Sequence, residues 1–218
     1  VITLYDYALS GNCFKVRYLL KALQLEFTKQ PVDFYPGFEH RSDKFLKLNP
    51  LGQLPVLDDN GVIIRDAQAI LVHLAAQYDP SFRWYPLNRP GMLGQIQIWL
   101  AFADSLTSTI SAARLHDAMF FNLDAVAARC GADRLLRVLD EHLWFNEQSG
   151  HRWLCDGADP TIADVACFPY VALSEEGGVS LEEFPAIVRW CDRFMSLDDF
   201  EPMAGMIPLP LPKSSRKS

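Results

Sequence analysis

The first 80 residues change rhythm every few positions. Ile2-Thr3-Leu4-Tyr5 reads as a short buried strand. Val16, Leu19, Leu20 and Leu23 then recur at helical spacing, which predicts a helix over residues 12–22. Residues 27–34 are extended in character, and Phe45, Leu46 and Leu48 predict a shorter helix that ends before Asn49-Pro50-Leu51-Gly52. Leu54-Pro55-Val56-Leu57 and Val62-Ile63-Ile64 predict two strands. Asp58-Asp59-Asn60-Gly61 between them is a hairpin turn, because Asn-Gly adopts positive φ at small cost. Ile70, Leu71, Leu74 and Tyr78 mark a third helix. The order βαβαββα is that of a small mixed sheet with helices on its faces.

After Tyr78 the texture changes. The next stretch holds Pro80, Pro86 and Pro90 and reads as a linker. Beyond it nearly every segment is helical. Residues 92–119 form one long helical region, and apolar stripes run through Leu135, Val138, Leu139 and Leu143 and through Ile187, Trp190, Cys191 and Phe194. Thr161-Ile162-Ala163-Asp164 has the spacing of a capping box, and Pro169 predicts a bend in the helix that follows. The expected organisation is an α/β unit over 1–79, a linker over 80–90, an all-α unit over 91–206 and a disordered tail over 207–218.

Composition narrows the function classes. The chain has 218 residues, is half hydrophobic and 22% charged, and so belongs with globular rather than disordered proteins. Its net charge of −7 and lack of a basic stripe argue against nucleic-acid binding. The chain lacks an apolar run of about 18 residues, so no membrane span is expected. The start, Val1-Ile2-Thr3-Leu4-Tyr5, lacks the marks of a secretory signal. The five cysteines are odd in number and widely spaced, which argues against a disulfide framework or a cysteine zinc site and points to the cytoplasm. The five histidines show no H-x-x-x-H pair, so no metal site is read.

Three segments carry candidate chemistry. Ser10-Gly11-Asn12-Cys13-Phe14-Lys15 lies between the first strand and the first helix, where open N–H groups and the helix dipole converge on an anion. Ser10 and Asn12 either only cap that helix or form a thiolate or phosphate site with Ser10 as donor. Gln53-Leu54-Pro55-Val56 either begins a plain edge strand or holds a cis peptide bond that leaves the Leu54 N–H and C=O free for a peptide-like ligand. Asp66 caps the third helix, and the open N–H groups behind it suit a carboxylate.

Taken together, Ser10-x-Asn12-x-x-Lys15, the block from Asn49 through Pro55 to Leu57, Asp66-Ala67-Gln68-Ala69-Ile70 and Thr161-x-Ala163-Asp164 resemble the cytosolic glutathione transferases, with the serine near the first helix resembling the bacterial theta/delta type. The resemblance implies a thioredoxin-like N-terminal domain with a cis bond at Pro55, an all-helical C-terminal domain and a homodimer. It implies that Ser10 donates to the glutathione thiolate, that Leu54 pairs with the cysteinyl unit beside Gln53, and that Asp66 and Ala67 hold the γ-glutamyl end. Asn12 belongs to the same site. His40 falls at the place of a glycyl-carboxylate contact, or is a solvated loop residue. Tyr5 and Tyr7 are expected to pack rather than donate.

Two features depart from the family pattern. Ala67 stands where a serine is usual, so one γ-glutamyl hydrogen bond is expected to be missing. Cys13 is expected to be buried and inert, the other reading being a reactive thiol that forms mixed disulfides. The second-substrate pocket is expected between the domains, with Phe102, Ser105, Thr109, Arg114 and Glu175 as candidates. Phe102 is otherwise core, and Arg114 an inter-helix ion pair. Glutathione is the implied co-substrate, with no metal or redox cofactor. The expected function is transfer of glutathione to a small hydrophobic electrophile. The rivals are a glutathione-dependent peroxidase or disulfide reductase, and a non-catalytic binding protein of the same fold.

Overall fold

The structure is a computed structural model that describes residues 1–203; the region expected to be a disordered tail, 207–218, lies outside the described residues. Strands β1 (Ile2–Asp6), β2 (Phe27–Pro31), β3 (Val56–Asp59) and β4 (Val62–Arg65) form one sheet in the order β2-β1-β3-β4. β1 runs parallel to β2 and antiparallel to β3, and β3 pairs antiparallel with β4, so the sheet is mixed as expected. The β3–β4 turn places Asn60 and Gly61 at φ 53° and 92°, and the Gly61 N–H donates to Asp58 Oδ1 at 2.7 Å. Both residues therefore use the left-handed region that the Asn-Gly pair favours.

Helices α1 (Gly11–Ala22), α2 (Asp43–Leu48) and α3 (Ala67–Tyr78) complete the first unit. Each begins at a side chain that accepts a first-turn N–H. Ser10 caps α1 through Cys13, Ser42 caps α2 through Phe45, and Asp66 caps α3 through Ala69. Val16, Leu19 and Leu20 of α1 and Ile70, Leu71 and Leu74 of α3 are buried, as their spacing predicts. Each such leucine stabilises the fold by about 1.5–3 kcal/mol. The strand after α1 is shorter than expected and ends at Pro31.

The connecting segment is anchored rather than loose. Trp84 and Tyr85 are buried, the Asp79 carboxylate accepts from the Ser81 and Trp84 N–H groups, and the Trp84 carbonyl accepts from Ile162. Helices α4 (Pro90–Leu106), α5 (Ala112–Met119), α6 (Ala125–Gln148), α7 (Ile162–Ala172) and α8 (Pro185–Met195) follow. A π-helical stretch, Thr107–Ser111, joins α4 to α5. Thr107 and Thr109 hydroxyls there donate back to the carbonyls of Ala103 and Ser105, at 2.9 and 2.8 Å. Such back-bonding competes with the regular helical ladder.

Helix α7 is buried along its whole length and packs against α1, α3 and α4. It continues through Pro169, and its start is the capping box that Thr161 and Asp164 predict. Phe168 stacks on Phe194 of α8 at 4.1 Å. The α8 stripe of Ile187, Trp190, Cys191 and Phe194 is wholly buried. On α6 the buried positions are instead Ala132, Leu136, Leu139 and Leu143, while Val138 is 54% exposed. Of the predicted stripe, Leu135 is partly buried against the core and Val138 alone faces outward.

Candidate active site

A cleft of about 390 Å³ opens between the two units. That is within the roughly 300–1,000 Å³ usual for ligand pockets. One wall comes from the segments that close the sheet. Ser10 and Asn12 lie at the start of α1, Gln53, Leu54 and Pro55 precede β3, and Asp66 and Ala67 begin α3; all seven line the cleft.

At α1, Ser10 Oγ accepts the Cys13 N–H at 3.2 Å. The cap uses one lone pair of the oxygen, and the hydroxyl, which also lies beside the buried Cys13 thiol, still carries a proton it can donate. The two sequence readings of Ser10, cap and donor, are therefore compatible. Asn12 Oδ1 is buried without a partner among the described residues, an acceptor aimed at nothing the chain supplies. Tyr170 of α7 packs directly on Gly11, where a Cβ would come within 2.9 Å of its ring. Any larger residue at 11 would push α1 and α7 apart.

The peptide bond Leu54–Pro55 is cis. Leu54 lies beyond the last ladder pair, Tyr5–Val56, and its N–H and C=O make no hydrogen bond among the described residues. Asn49 holds the turn before it, with Nδ2 donating to the Gln53 carbonyl at 2.8 Å and Oδ1 accepting from Leu51 at 3.1 Å. Gly52, at φ 60°, sits where a Cβ would lie 3.0 Å from the His40 carbonyl, so both its backbone and its surroundings require glycine.

Asp66 adopts φ 78°, a strained conformation for a residue with a side chain, and its Oδ1 accepts the Ala69 N–H at 2.9 Å. The Ala67 and Gln68 N–H groups make no hydrogen bond among the described residues, and they face the cleft end of α3. Gln68 Nε2 donates to Asp104 of α4, tying the two units together. Burial pushes the Asp104 carboxyl above the usual range, the nearby Asp66 adds to this, and Lys15 opposes it.

His40 is not in the cleft wall. Its imidazole is buried, stacks 4.2 Å from Phe34, and has Nδ1 unpartnered among the described residues. Burial, reinforced by Arg41, lowers its pKa. The turn through residues 35–41 folds it beneath Phe34, and Phe34 itself lines the cleft. Tyr7, expected as packing, also lines the cleft, with its ring 5.4 Å from Phe34. Tyr5 packs edge-on against Phe45. Cys13 is fully buried; desolvation, with Asp6 adding, pushes its thiol up to about 12.

The opposite wall comes from Asp104, Thr107, Ser108, Ser111, Arg114, Leu115, Met119 and Tyr170. Of the five residues expected there, Arg114 alone lines the cleft. Its Nη1 donates to the Leu9 carbonyl at 2.6 Å and its Nε to Glu176, so it also clasps the two units. Phe102 packs on Trp99 at 5.1 Å, and Glu175 accepts from the Leu181 N–H at 3.1 Å. Ser105 gives its carbonyl to Ser108 and Thr109, and the Thr109 methyl abuts Gly131 on α6. Residues 102, 105 and 109 differ by two positions from 104, 107 and 111. Two positions are about 200° around a helix, the opposite face.

A mixed four-stranded sheet flanked by helices, joined to a helical unit across a cleft, is the architecture of the glutathione transferases. The chain belongs to that family: the glutathione S-transferase N-terminal domain matches residues 1–76 and the C-terminal domain matches 123–198. Glutathione S-transferase 1 of Dianthus caryophyllus is 28% identical over 205 residues, covering 90% of this chain and 88% of the relative. A glutathione S-transferase of Xanthobacter autotrophicus Py2 superposes with a TM-score of 0.80 at 28% identity, covering 94% of this chain and 98% of that one. Ure2p in complex with glutathione gives 0.78 at 26% identity, covering 91% and 90%. Among the described residues no helix is long and apolar enough to cross a membrane.

Proposed function

We propose that the cleft binds glutathione, favours its thiolate and presents it to a small electrophile. The observation that carries this reading is the Ser10 hydroxyl. Its oxygen is engaged as an acceptor at the start of α1, and its proton is left to donate into the cleft. A donor and a helix N-terminus on one spot favour a negative sulfur there. The unpaired Leu54 backbone suits the cysteinyl peptide unit, and the open N–H groups of Ala67 and Gln68 suit the γ-glutamyl carboxylate. Asp66 and Asp104 supply carboxylates for its ammonium. The complex of Ure2p with glutathione supports the choice of ligand.

In the reaction the thiol proton leaves to solvent and the sulfur lone pair forms a bond to the electrophilic carbon. The leaving group departs with the bonding pair. Phe34 from the first unit and Leu115 and Met119 from α5 give the electrophile apolar contacts, with the hydroxyls of Ser108 and Ser111 on the same wall as α5. Conjugation is favoured over thiol–disulfide chemistry by the sealed Cys13, whose thiol stays protonated near neutral pH. Apolar side chains left on the surface of α4 and α6, Ile98, Val138 and Phe145, support a homodimer. The free cysteines support a reducing compartment, the cytoplasm.

The test is turnover with a chloro-nitroaromatic and with a hydroperoxide, in wild type, Ser10→Ala and Cys13→Ala. A hydrogen bond to a charged partner is worth about 1.5–3 kcal/mol, so Ser10→Ala lowers conjugation about 10- to 150-fold, with little change in glutathione affinity. A fully active Ser10→Ala beside an inactive Cys13→Ala would refute the serine reading.

A further inference from the structure

Lys15 is the most unusual charged residue in the fold. It is wholly buried, and its Nζ has no hydrogen-bond partner among the described residues. It lies one helical turn beyond Gly11 on the same face of α1, and both residues meet Tyr170. The Gly11 backbone packs on the ring, and Lys15 Nζ stands 5.3 Å from the ring centroid. Tyr170, on which both residues pack, also lines the cleft together with Ser10 and Asn12.

The groups that face Lys15 do not neutralise it by contact. Cys167 comes from α7, Asp104 from α4 and Asp66 from the cap of α3, and none is within ion-pair distance. Cys167 is itself held protonated by burial, and its Sγ points to the Trp99 carbonyl. Desolvation pulls the amine down to about 8, with Cys167, Asp104 and Asp66 opposing. A buried cation without a partner is costly to any fold. An anion arriving in the cleft would supply the missing counter-charge, and would raise the amine's own affinity for its proton.

We propose that Lys15 is a positioning residue, a fixed cation beside Tyr170 that favours ionised over protonated sulfur in the cleft. This rests on the glutathione reading of the site. A unit charge acting through the protein at an effective dielectric near ~20 shifts a thiol by about one pH unit, roughly tenfold in the thiolate fraction at neutral pH.

The experiment compares wild type, Lys15→Met and Lys15→Gln in two titrations. One follows the ultraviolet absorbance of bound glutathione thiolate against pH. The other measures the affinity of S-methylglutathione, whose sulfur cannot ionise. The expected result is a bound-thiol pKa about one unit higher in both variants, with S-methylglutathione affinity within about twofold of wild type. The melting temperature of Lys15→Met should rise, since an uncompensated charge is removed. An unchanged bound-thiol pKa, or equal losses for both ligands, overturns the proposal while leaving the glutathione reading intact. So does failure of both variants to fold, because a cation kept for sulfur is replaceable in packing. A wild type that binds neither ligand overturns both.

Discussion

Asp164 holds the cleft's back wall to the rest of the fold, and its removal has a calculable cost. Its Oδ1 accepts the Leu154 N–H and the Trp190 indole N–H, and its Oδ2 accepts the Thr161 N–H, each at 3.0 Å. Donors and acceptor are all buried, with Trp190 and Asp164 at 0% exposure. Burial raises the carboxyl's pKa, and the three donors offset that only in part. Asp164→Ala leaves three buried N–H groups without an acceptor, each worth about 1–3 kcal/mol. Part of this is offset because a buried carboxylate is no longer desolvated. The expected net loss is about 3–5 kcal/mol. Asp164→Asn keeps the carbonyl oxygen for Leu154 and Trp190 but turns an amide donor toward the Thr161 N–H. It should cost about 1–3 kcal/mol. The assay is urea denaturation followed by tryptophan fluorescence. Because α7 also carries Tyr170, activity should be lost at lower temperature in step with unfolding. The reasoning fails if Asp164→Ala stays within about 1 kcal/mol of wild type, or if the Asn variant is as damaged as the Ala variant.

Ala67→Ser restores a hydroxyl beside the open N–H groups of α3, and should tighten glutathione about two- to twelve-fold without changing turnover at saturation. Unchanged or weaker binding in calorimetry would remove residue 67 from the ligand's surroundings. Burial pushes Asp59 up, but hydrogen bonds from His73, Tyr78 and Asn60 outweigh it, so its carboxyl sits below the ordinary 3.8. A depressed pKa gives stability that is present above the unfolded value and lost as pH falls through the folded one. The stability gap between wild type and Asp59→Asn should therefore shrink as pH falls below about 4, as denaturation at each pH would show. A gap that widens on acidification would contradict the sign. In light scattering the chain should have twice its 24.7 kDa mass; the monomer mass at micromolar concentration would end the homodimer proposal.

What was legible in the sequence was what local chemistry decides. Ser10, Asp66 and Thr161 announce helix starts because a cap needs only its own next turn, and the first two of those starts help to build one wall of the cleft. Asn60-Gly61 fixes a turn for the same reason. The opposite wall depends on which face of a long helix meets another unit, and periodicity gives a stripe without saying what lies opposite each side. The stripe alone therefore points to Phe102, Ser105 and Thr109, whereas the cleft is lined by Asp104, Thr107 and Ser111. His40 was placed by counting back from Asn49, and only the turn through residues 35–41 reveals that it folds under Phe34. Lys15 stood in the motif from the start. Its burial came from α7, a helix some 150 residues further along the chain.

The measurement closest to the central claim is the ionisation of glutathione's sulfur in the cleft, read from thiolate absorbance across pH with the protein in excess. A free thiol of this kind titrates near about 8.5. With the Ser10 hydroxyl and the α1 N-terminus converging on the sulfur, the bound thiol should ionise about two units or more lower, and Ser10→Ala should return it by about one to two units. Glutathione that binds with an unshifted thiol, or that does not bind at millimolar concentration, would contradict the account.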